Sequence, residues 1–283
     1  MPLVLEQGML MLDFFYRLDV ITLFIIVSVI FISVSTITLL FLKRYLPQKL
    51  ADQDNAVVGN VSNLVSLIYG VLAGLTALYL INNISYAADA VQREANAVVD
   101  MYRETTWLKQ PMQDQLKVHL KKYIDTVIEV EWPLMRQGKN IDNQGDFIIE
   151  EVDDKLKEYN TSNQSEALLV RDMQQEIKAL YDARQQRIQL SSASLNSEIW
   201  IVIILGTILM IAINYFYTVN VFMHLICIAA VALMASAMSF LLLSLDRPFQ
   251  GEFVIEPVAF KSVISFIDKH GDHHTHITTE KPQ

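Results

Sequence analysis

The stretch that decides the fold is residues 198–245, EIWIVIILGTILMIAINYFYTVNVFMHLICIAAVALMASAMSFLLLSL. One helix over this apolar run would be about 70 Å long, more than twice the roughly 30 Å of a bilayer's hydrocarbon core. The run must therefore fold back. Residues 214–220 are its best turning point, with Thr218-Val219-Asn220 as a very tight hairpin. The sequence thus predicts two membrane spans, at about 199–217 and 221–245.

Two further spans are predicted upstream. Residues 20–42 carry no charge and end at Lys43-Arg44, and they are long enough to cross a bilayer. Residues 57–81 form a second, less apolar span. We therefore expect an all-α polytopic membrane protein with four transmembrane helices, in the segments 20–81 and 198–245.

The overall composition supports this class of protein and excludes others. The chain is 52% hydrophobic and 19% charged, which is too apolar for an ordinary soluble domain. Its net charge of −9 argues against a nucleic-acid partner, which would need clustered basic residues. Cys227 is the one cysteine, so no internal disulfide or thiolate metal cluster is expected. The N-terminal segment 1–19 carries acidic residues and is not expected to be a signal peptide.

A polar helical domain is predicted between spans 2 and 3, at residues 82–197. Three apolar stripes with helical spacing indicate its helices. They are Ala87, Val91, Ala95, Val98 and Tyr102; Leu116, Leu120, Tyr123, Val127, Glu131 and Leu134; and Leu169, Met173, Ile177, Leu180, Arg184 and Ile188. Pro111 fits the first turn of the second helix and Gly138 its end. Asn163 and Glu166 form a capping-box pattern that opens the last helix.

Nothing in the pattern breaks that last helix before the membrane, so it can continue into span 3, and span 2 can likewise continue into the first helix of the domain. After the spans, residues 246–269 form a mixed post-membrane segment. Residues 270–283 form a His-rich tail that we expect to be disordered.

Two charged residues lie on apolar stripes of the domain. Glu131 and Arg184 each occupy a core position, and an unpaired buried charge would be strongly unfavourable. The sequence therefore predicts that they pair as a structural ion pair, with Glu94 as a third member. A role in ion passage or gating is the alternative interpretation.

Small and polar residues recur at three- and four-residue steps along span 2. They are Asn60, Asn63, Ser66, Gly70 and Gly74, and the two glycines form a GxxxG pair. Such a face can pack closely against another helix in lipid. Arranged around a symmetry axis, it can instead line a water-filled pore. Both interpretations can hold, because a pore built from one helix per subunit also needs close packing.

Catalytic motifs are absent from the sequence: it has no nucleophile elbow, P-loop, HExxH or CxxC. We expect no enzyme activity, no cofactor and no resident metal. The histidines of the tail, between residues 270 and 276, could bind a divalent metal, but a segment without a scaffold makes a weak site.

Several short motifs together resemble the bestrophin-like membrane family found widely in bacteria. The matching positions are Asn55–Gly59, Tyr69-Gly70 with Gly74, Glu94-Ala95, Tyr102-Arg103, Tyr123, Glu131-Trp132-Pro133, Arg184, Arg187, Trp200, and Leu245-Asp246-Arg247-Pro248-Phe249 with Gly251. The EWP and LDRPF blocks carry the resemblance. It implies the four-span layout with an inserted helical domain. True bestrophins share this layout and assemble as pentameric anion channels.

These observations lead to two functional hypotheses. The first is an oligomeric ion channel in a bacterial inner membrane, with a pentamer favoured and anion conduction implied by the resemblance. The second is a non-conducting membrane scaffold whose helical domain binds a protein partner. The even number of spans places both termini and the helical domain on one side of the bilayer. The resemblance implies that this side is the cytoplasm, although the basic connector at Lys43, Arg44 and Lys49 favours the opposite orientation.

Overall fold

The computed structural model of the chain describes residues 20–45, 52–250 and 254–277, with side chains described for 21–45, 55–250 and 254–269. These residues form helices connected by short loops. The helices are α1 Val20–Tyr45, α2 Asp52–Thr105, α3 Met112–Thr126, a π-helical turn Val127–Glu131, α4 Trp132–Arg136, α5 Gln144–Glu158, α6 Gln164–Ser191, α7 Ser197–Asn214, α8 Val221–Leu245 and α9 Val258–Ile277. The N-terminal segment 1–19 and the connector with Lys49 lie outside the described residues.

Four of these helices are long and apolar enough to cross a membrane: Ile21–Tyr45, Asn55–Thr105, Ser197–Asn214 and Val221–Leu245. The prediction of four spans is therefore confirmed, and the chain is a membrane protein. The fold-back predicted between spans 3 and 4 is present as a non-helical loop from 215 to 220. Helix α7 ends three residues earlier than the predicted third span.

The chain divides into two compact units. The membrane unit comprises residues 1–82, 194–247 and 251–253. In it, α1 packs along α8, with the Ser28 and Ser236 hydroxyls 3.0 Å apart. Helix α2 contributes Tyr69 and Ala73 to a small apolar cluster with α7 and α8. Most other side chains of these helices face outward and are apolar, as lipid requires.

The polar unit comprises residues 83–193, 248–250 and 254–283. The three stripes predicted from the sequence supply most of its core. Apolar side chains at or below 1% exposure include Ala87, Val98, Met101, Leu116, Leu120, Ile124, Val127, Met173, Leu180, Phe249 and Phe260. Phe249 and Phe260 show that the post-membrane segment belongs to this core and is not separate from it.

One predicted helix start and one predicted helix end are confirmed. Asn163 Oδ1 accepts a hydrogen bond from the Glu166 N–H at 2.8 Å, and the Glu166 carboxylate accepts one from Ser162 N–H at 2.7 Å. Gly138 ends α4 with a φ of 64°, and its N–H donates to the Met135 carbonyl at 3.0 Å. This left-handed conformation favours glycine.

The prediction that the last helix of the domain runs unbroken into span 3 is wrong. Helix α6 ends at Ser191, and α7 begins at Ser197. Small hydroxyl residues fill the break, and Ser191 Oγ donates to the Ile188 carbonyl at 2.7 Å, which competes with helix continuation. The Asp246 carboxylate also accepts from Leu195 N–H at 2.6 Å and so stabilises the loop. The matching prediction for span 2 is confirmed, because α2 runs unbroken from Asp52 to Thr105.

The tail also differs from expectation in part. Helix α9 extends to Ile277, so residues 270–277 continue a helix where the sequence predicts disorder. The amphipathic run from Val258, with Phe260, Val263 and Ile267 buried, starts this helix, and no proline follows before its end. Residues 278–283 lie outside the described part of the chain.

Candidate functional site

A network of five charged side chains lies inside the polar unit. Arg187 donates from Nε to Glu94 Oε2 at 2.6 Å and from Nη2 to Glu94 Oε1 at 2.9 Å. The same Nη2 donates to Glu131 Oε2 at 2.6 Å. Arg184 donates from Nη1 to Glu131 Oε1 at 2.5 Å and from Nε to Asp146 Oδ1 at 2.8 Å. Glu131 therefore bridges the two arginines, and both guanidinium groups are fully buried.

The structure thus brings together Glu94, Glu131 and Arg184, the three residues predicted to pair. Glu94 belongs to the network through Arg187, not through Arg184. Sequence reasoning missed Arg187 as a charge partner and named it as a motif position. The signal was present, because Arg187 follows Arg184 by three residues and therefore lies on the same helix face.

A π-helical turn places Glu131 and the residues after it. Residues 127–131 insert one extra residue into the helical run, which rotates the following side chains relative to a regular α-helix. Leu134, the last predicted member of the second stripe, is consequently half-buried, whereas Trp132 and Met135 are buried. The turn therefore directs both Glu131 and Trp132 into the core.

Burial and charge act in opposite directions on this network. Burial disfavours a charged Arg187, yet the two carboxylates beside it hold the pKa of Arg187 above its usual range. Burial, reinforced by the Glu94 carboxylate, raises the pKa of Tyr123 well above its usual value. Tyr123 therefore keeps its proton and donates it to Glu94 Oε1 at 2.5 Å. The network carries three acidic and two basic groups. Every carboxylate oxygen of Glu94 and Glu131 accepts from a donor within the protein, whereas Arg184 Nη2 has no hydrogen-bond partner among the described residues.

Gly145 packs its backbone against the network. A Cβ added there would lie 2.5 Å from Arg184 Nη1 and 2.6 Å from Glu131 Oε1, which is closer than real Cβ contacts allow. Glycine at this position is therefore required by the ion pair and not by backbone conformation.

The EWP block and the last part of the LDRPF block meet in the same core. The Trp132 ring contacts Phe249 edge to face at a centroid distance of 5.6 Å and Phe260 at 5.9 Å. The Arg187 guanidinium lies 5.6 Å from the centre of the Trp132 ring, a cation–π arrangement. Pro133 occupies the first turn of α4, where its missing N–H is tolerated. These motifs therefore pack together beside the charge network, with Trp132 in contact with Arg187.

The residues predicted to line a pore lie on an open face of α2. Asn60, Asn63, Gly70 and Gly74 are exposed, and Ser66 is half-exposed. Added Cβ atoms at Gly70 and Gly74 would meet no atom within 4 Å. The buried face of α2, with Ser62, Tyr69 and Ala73, points elsewhere, towards α7 and α8. Within the described side chains, no group of three or more His, Cys, Asp or Glu residues could hold a metal ion.

Comparison with known proteins identifies the family. The sequence profile described as Bestrophin-like domain matches residues 29–260. The chain therefore belongs to the bestrophin-like family, which confirms the resemblance inferred from the motifs. No curated protein matches the chain in sequence.

Solved structures share the fold. A crystal structure of a membrane protein variant superposes with a TM-score of 0.65 and 10% identity, covering 86% of this chain and 97% of the other. Two variants of a bacterial bestrophin homologue from Klebsiella pneumoniae give TM-scores of 0.62 each. The first variant is 9% identical, and the match covers 86% of this chain and 96% of that variant. The second variant is 10% identical, and the match covers 88% of this chain and 98% of that variant. At these identities the similarity establishes the fold.

Proposed function

We propose that the chain is an oligomeric ion channel, with span 2 facing the conduction path. Membership of the bestrophin-like family supports this proposal, because the family resembles true bestrophins, which are pentameric channels. By the same resemblance we propose a pentamer that conducts anions. The bacterial inner membrane, with the polar unit and both termini in the cytoplasm, is the proposed location.

The observation that carries the proposal is the open polar face of span 2. Asn60 and Asn63 are exposed on a helix that must cross hydrocarbon, where an amide without a partner costs about 1–3 kcal/mol or more. Gly70 and Gly74 on the same side leave the backbone accessible. Together with Ser66, these residues span an arc of about 120° at 100° per residue. Protein or water must therefore cover this arc.

A ring of identical copies would cover both the exposed amides and the open glycine backbone of α2. The glycines allow neighbouring helices to approach closely, and the amides of Asn60 and Asn63 then face a shared axis and not lipid. Leu67 and Val71 are exposed between the polar positions, so polar and aliphatic rings alternate along the proposed path. Neutral polar groups without charges give weak ion selectivity.

The buried charge network has a structural role in this proposal. Its carboxylates and guanidinium groups are engaged with one another, and both arginines are inaccessible to solvent in the subunit. An ion moving through the protein would have to break several short charge-assisted hydrogen bonds to use them. The network therefore supports the domain and is not expected to form part of the conduction path.

The test is conduction by purified protein reconstituted into planar bilayers, comparing Asn63→Asp with the matched control Asn63→Gln. A ring of carboxylates facing the path favours cations over anions. In a salt gradient, the reversal potential of Asn63→Asp should therefore move towards the cation equilibrium potential by roughly tens of millivolts. Asn63→Gln keeps a neutral amide and should leave the reversal potential in place.

A labelling experiment tests the same face without measuring current. In a Cys227→Ala background, Asn63→Cys should react with a water-soluble thiol reagent, whereas Ile68→Cys, on the other exposed flank of α2, should be shielded by lipid. Absence of current together with equal, slow labelling at both positions would overturn the channel proposal and favour the scaffold, in which the same polar face lies in a dry helix interface.

A further inference from the structure

The loop between α7 and α8 is held by side chains from two other helices of the membrane unit. Asn55 of α2 brackets Thr218: its Oδ1 accepts from the Thr218 N–H at 2.8 Å, and its Nδ2 donates to the Thr218 carbonyl at 3.1 Å. Lys43 of α1 donates from Nζ to the Val219 carbonyl at 3.2 Å. The loop is therefore fixed to α1 and α2 through its backbone.

His224 closes the loop from its other side. It lies in the first turn of α8, is 1% exposed, and has Nε2 2.9 Å from the carbonyl oxygen of Asn214, the last residue of α7. A carbonyl can only accept a hydrogen bond, so Nε2 carries the proton. The neutral ring therefore has its lone pair on Nδ1. This nitrogen is buried and has no hydrogen-bond partner among the described residues.

Among the residues that the structure describes, the surroundings of the ring offer no negative charge to balance a positive one. Lys43 is the charged side chain that acts on it electrostatically. Asn214, from the end of α7, presents a carbonyl to the other ring nitrogen, and Ser62 of α2 contacts the Asn214 side chain at 3.5 Å. Within the described side chains, no carboxylate is paired with His224.

We propose that His224 is a proton-operated latch on this loop. The neutral ring fits the closed loop, because Nε2 has its acceptor and Nδ1 needs no donor. A proton taken from solvent binds the Nδ1 lone pair and makes the ring a cation with two N–H donors. The new donor has no acceptor, and the Lys43 ammonium repels the charge. Opening of the loop lets water solvate the Nδ1–H group, so acid solution favours the open loop.

This inference goes beyond the proposed channel function and does not require that the chain conducts ions. The test therefore follows the loop directly. A nitroxide spin label is attached to Phe216→Cys, a position exposed in the loop, in a Cys227→Ala background. The full-length protein in lipid vesicles is then titrated from about pH 7.5 to about pH 4.5, the range that brackets imidazole titration. The mobile fraction of the label should rise at least about twofold on acidification.

Two variants decide between the latch and general acid loosening. His224→Gln keeps an N–H donor for the Asn214 carbonyl but takes up no proton, so its label should show no transition in this range. Lys43→Gln keeps a donor for Val219 and removes the repulsion that disfavours the protonated ring in the closed loop, so acid should open the loop less readily and the midpoint should move to lower pH. The latch is overturned if the label shows no transition in the parent protein. It is also overturned by an unchanged transition in His224→Gln, or, where that variant does not fold, by an unchanged midpoint in Lys43→Gln.

Discussion

The two units of this chain place their polar groups in opposite ways. The polar unit buries four charged side chains at its centre, with Asp146 partly exposed at the edge of the network, and surrounds them with aromatic and aliphatic residues. The membrane unit exposes aliphatic residues over most of its helices and leaves small polar residues exposed on one face of α2. The candidate site of the polar unit therefore consists of buried charges, and that of the membrane unit consists of exposed amides and glycines.

The difference follows from the surrounding solvent. In water, a buried charge is unfavourable unless partners inside the protein replace the lost hydration, and the polar unit provides those partners. In hydrocarbon, an exposed amide is unfavourable unless another subunit or water covers it. The charge network of the polar unit is therefore formed within a single copy, whereas in the proposed function the polar face of α2 is covered by another subunit or by water. The following variants test this contrast, in order of decreasing effect on the stability of the subunit.

Arg187→Met should have the largest effect. It leaves Glu94 without its bidentate partner and removes one of the two partners of Glu131, and breaking a buried pair typically costs about 3–5 kcal/mol. The free energy of unfolding of the detergent-solubilised protein, followed by tryptophan fluorescence, measures this loss. A loss below about 1 kcal/mol, the range of an exposed pair, would show that the network is not buried as described.

A double-mutant cycle on Glu131 and Arg184 should show strong coupling. Glu131→Gln and Arg184→Met should each destabilise the protein, and the double variant should recover about 1–3 kcal/mol relative to the sum. The recovery is incomplete because Arg187 and Asp146 each lose a partner as well. Strictly additive losses in the unfolding titrations would contradict direct contact between the two side chains.

Gly145→Ala should destabilise the polar unit by about 1–3 kcal/mol, because the added methyl group overlaps the Arg184–Glu131 pair. Gly74→Ala is the matched control, since its Cβ meets open space within the subunit. The two thermal midpoints should therefore separate, with Gly145→Ala lower. Equal midpoints would mean that the network can shift to accommodate a methyl group.

Glu104 should give a small pH dependence of stability. Burial, with the nearby carboxylates of Glu176, Asp172 and Asp100, raises the pKa of Glu104 from 4.5 to about 7. Between these values the folded protein binds more protons than the unfolded chain, so stability is greatest in acid and falls as the pH rises towards about 7. Partial exposure keeps the effect below about 1 kcal/mol. Glu104→Gln should flatten the difference between thermal midpoints at about pH 5 and about pH 8.

Gly70→Leu should have the smallest effect on the subunit and the clearest effect on assembly. A Cβ atom at Gly70 meets nothing within 4 Å in the subunit, and the position is exposed, so the free energy of unfolding of the subunit should change by less than about 0.5 kcal/mol. If the open face of α2 contacts another copy, native mass spectrometry should show loss of the oligomer. An oligomer that survives in this variant, or a monomeric wild type, would remove the proposed contact.

Much of the architecture followed from local patterns. Charge-free runs of sufficient length predicted the spans, because hydrocarbon excludes charged side chains over a fixed thickness. Helical periodicity predicted the core stripes, and the capping pattern at Asn163 and Glu166 predicted where α6 begins. Glu131 and Arg184 were predicted to pair because both lie on apolar stripes, where a buried charge is strongly unfavourable without a partner.

Other features depended on contacts between distant parts of the chain. The break between α6 and α7 is stabilised by a hydrogen bond from the Leu195 N–H to the Asp246 carboxylate. Asp246 lies about fifty residues further along the chain. Asp146 joins the charge network from α5, and helical periodicity does not predict which side chain of one helix contacts another helix. The π-helical turn at residues 127–131 shifted the register of Trp132 and Met135, and no periodicity argument anticipates one inserted residue.

The sequence by itself determined which segments enter the membrane, which helix faces are apolar and which charges need partners. These properties depend on each residue's transfer free energy between water and hydrocarbon and on helical spacing, both of which are local. Tertiary structure alone decided that Arg187 bridges two glutamates, that Gly145 must lack a side chain, and that His224 closes the loop between α7 and α8. Each of these depends on distances of about 3 Å between residues far apart in sequence, and such distances are set only when the whole core packs.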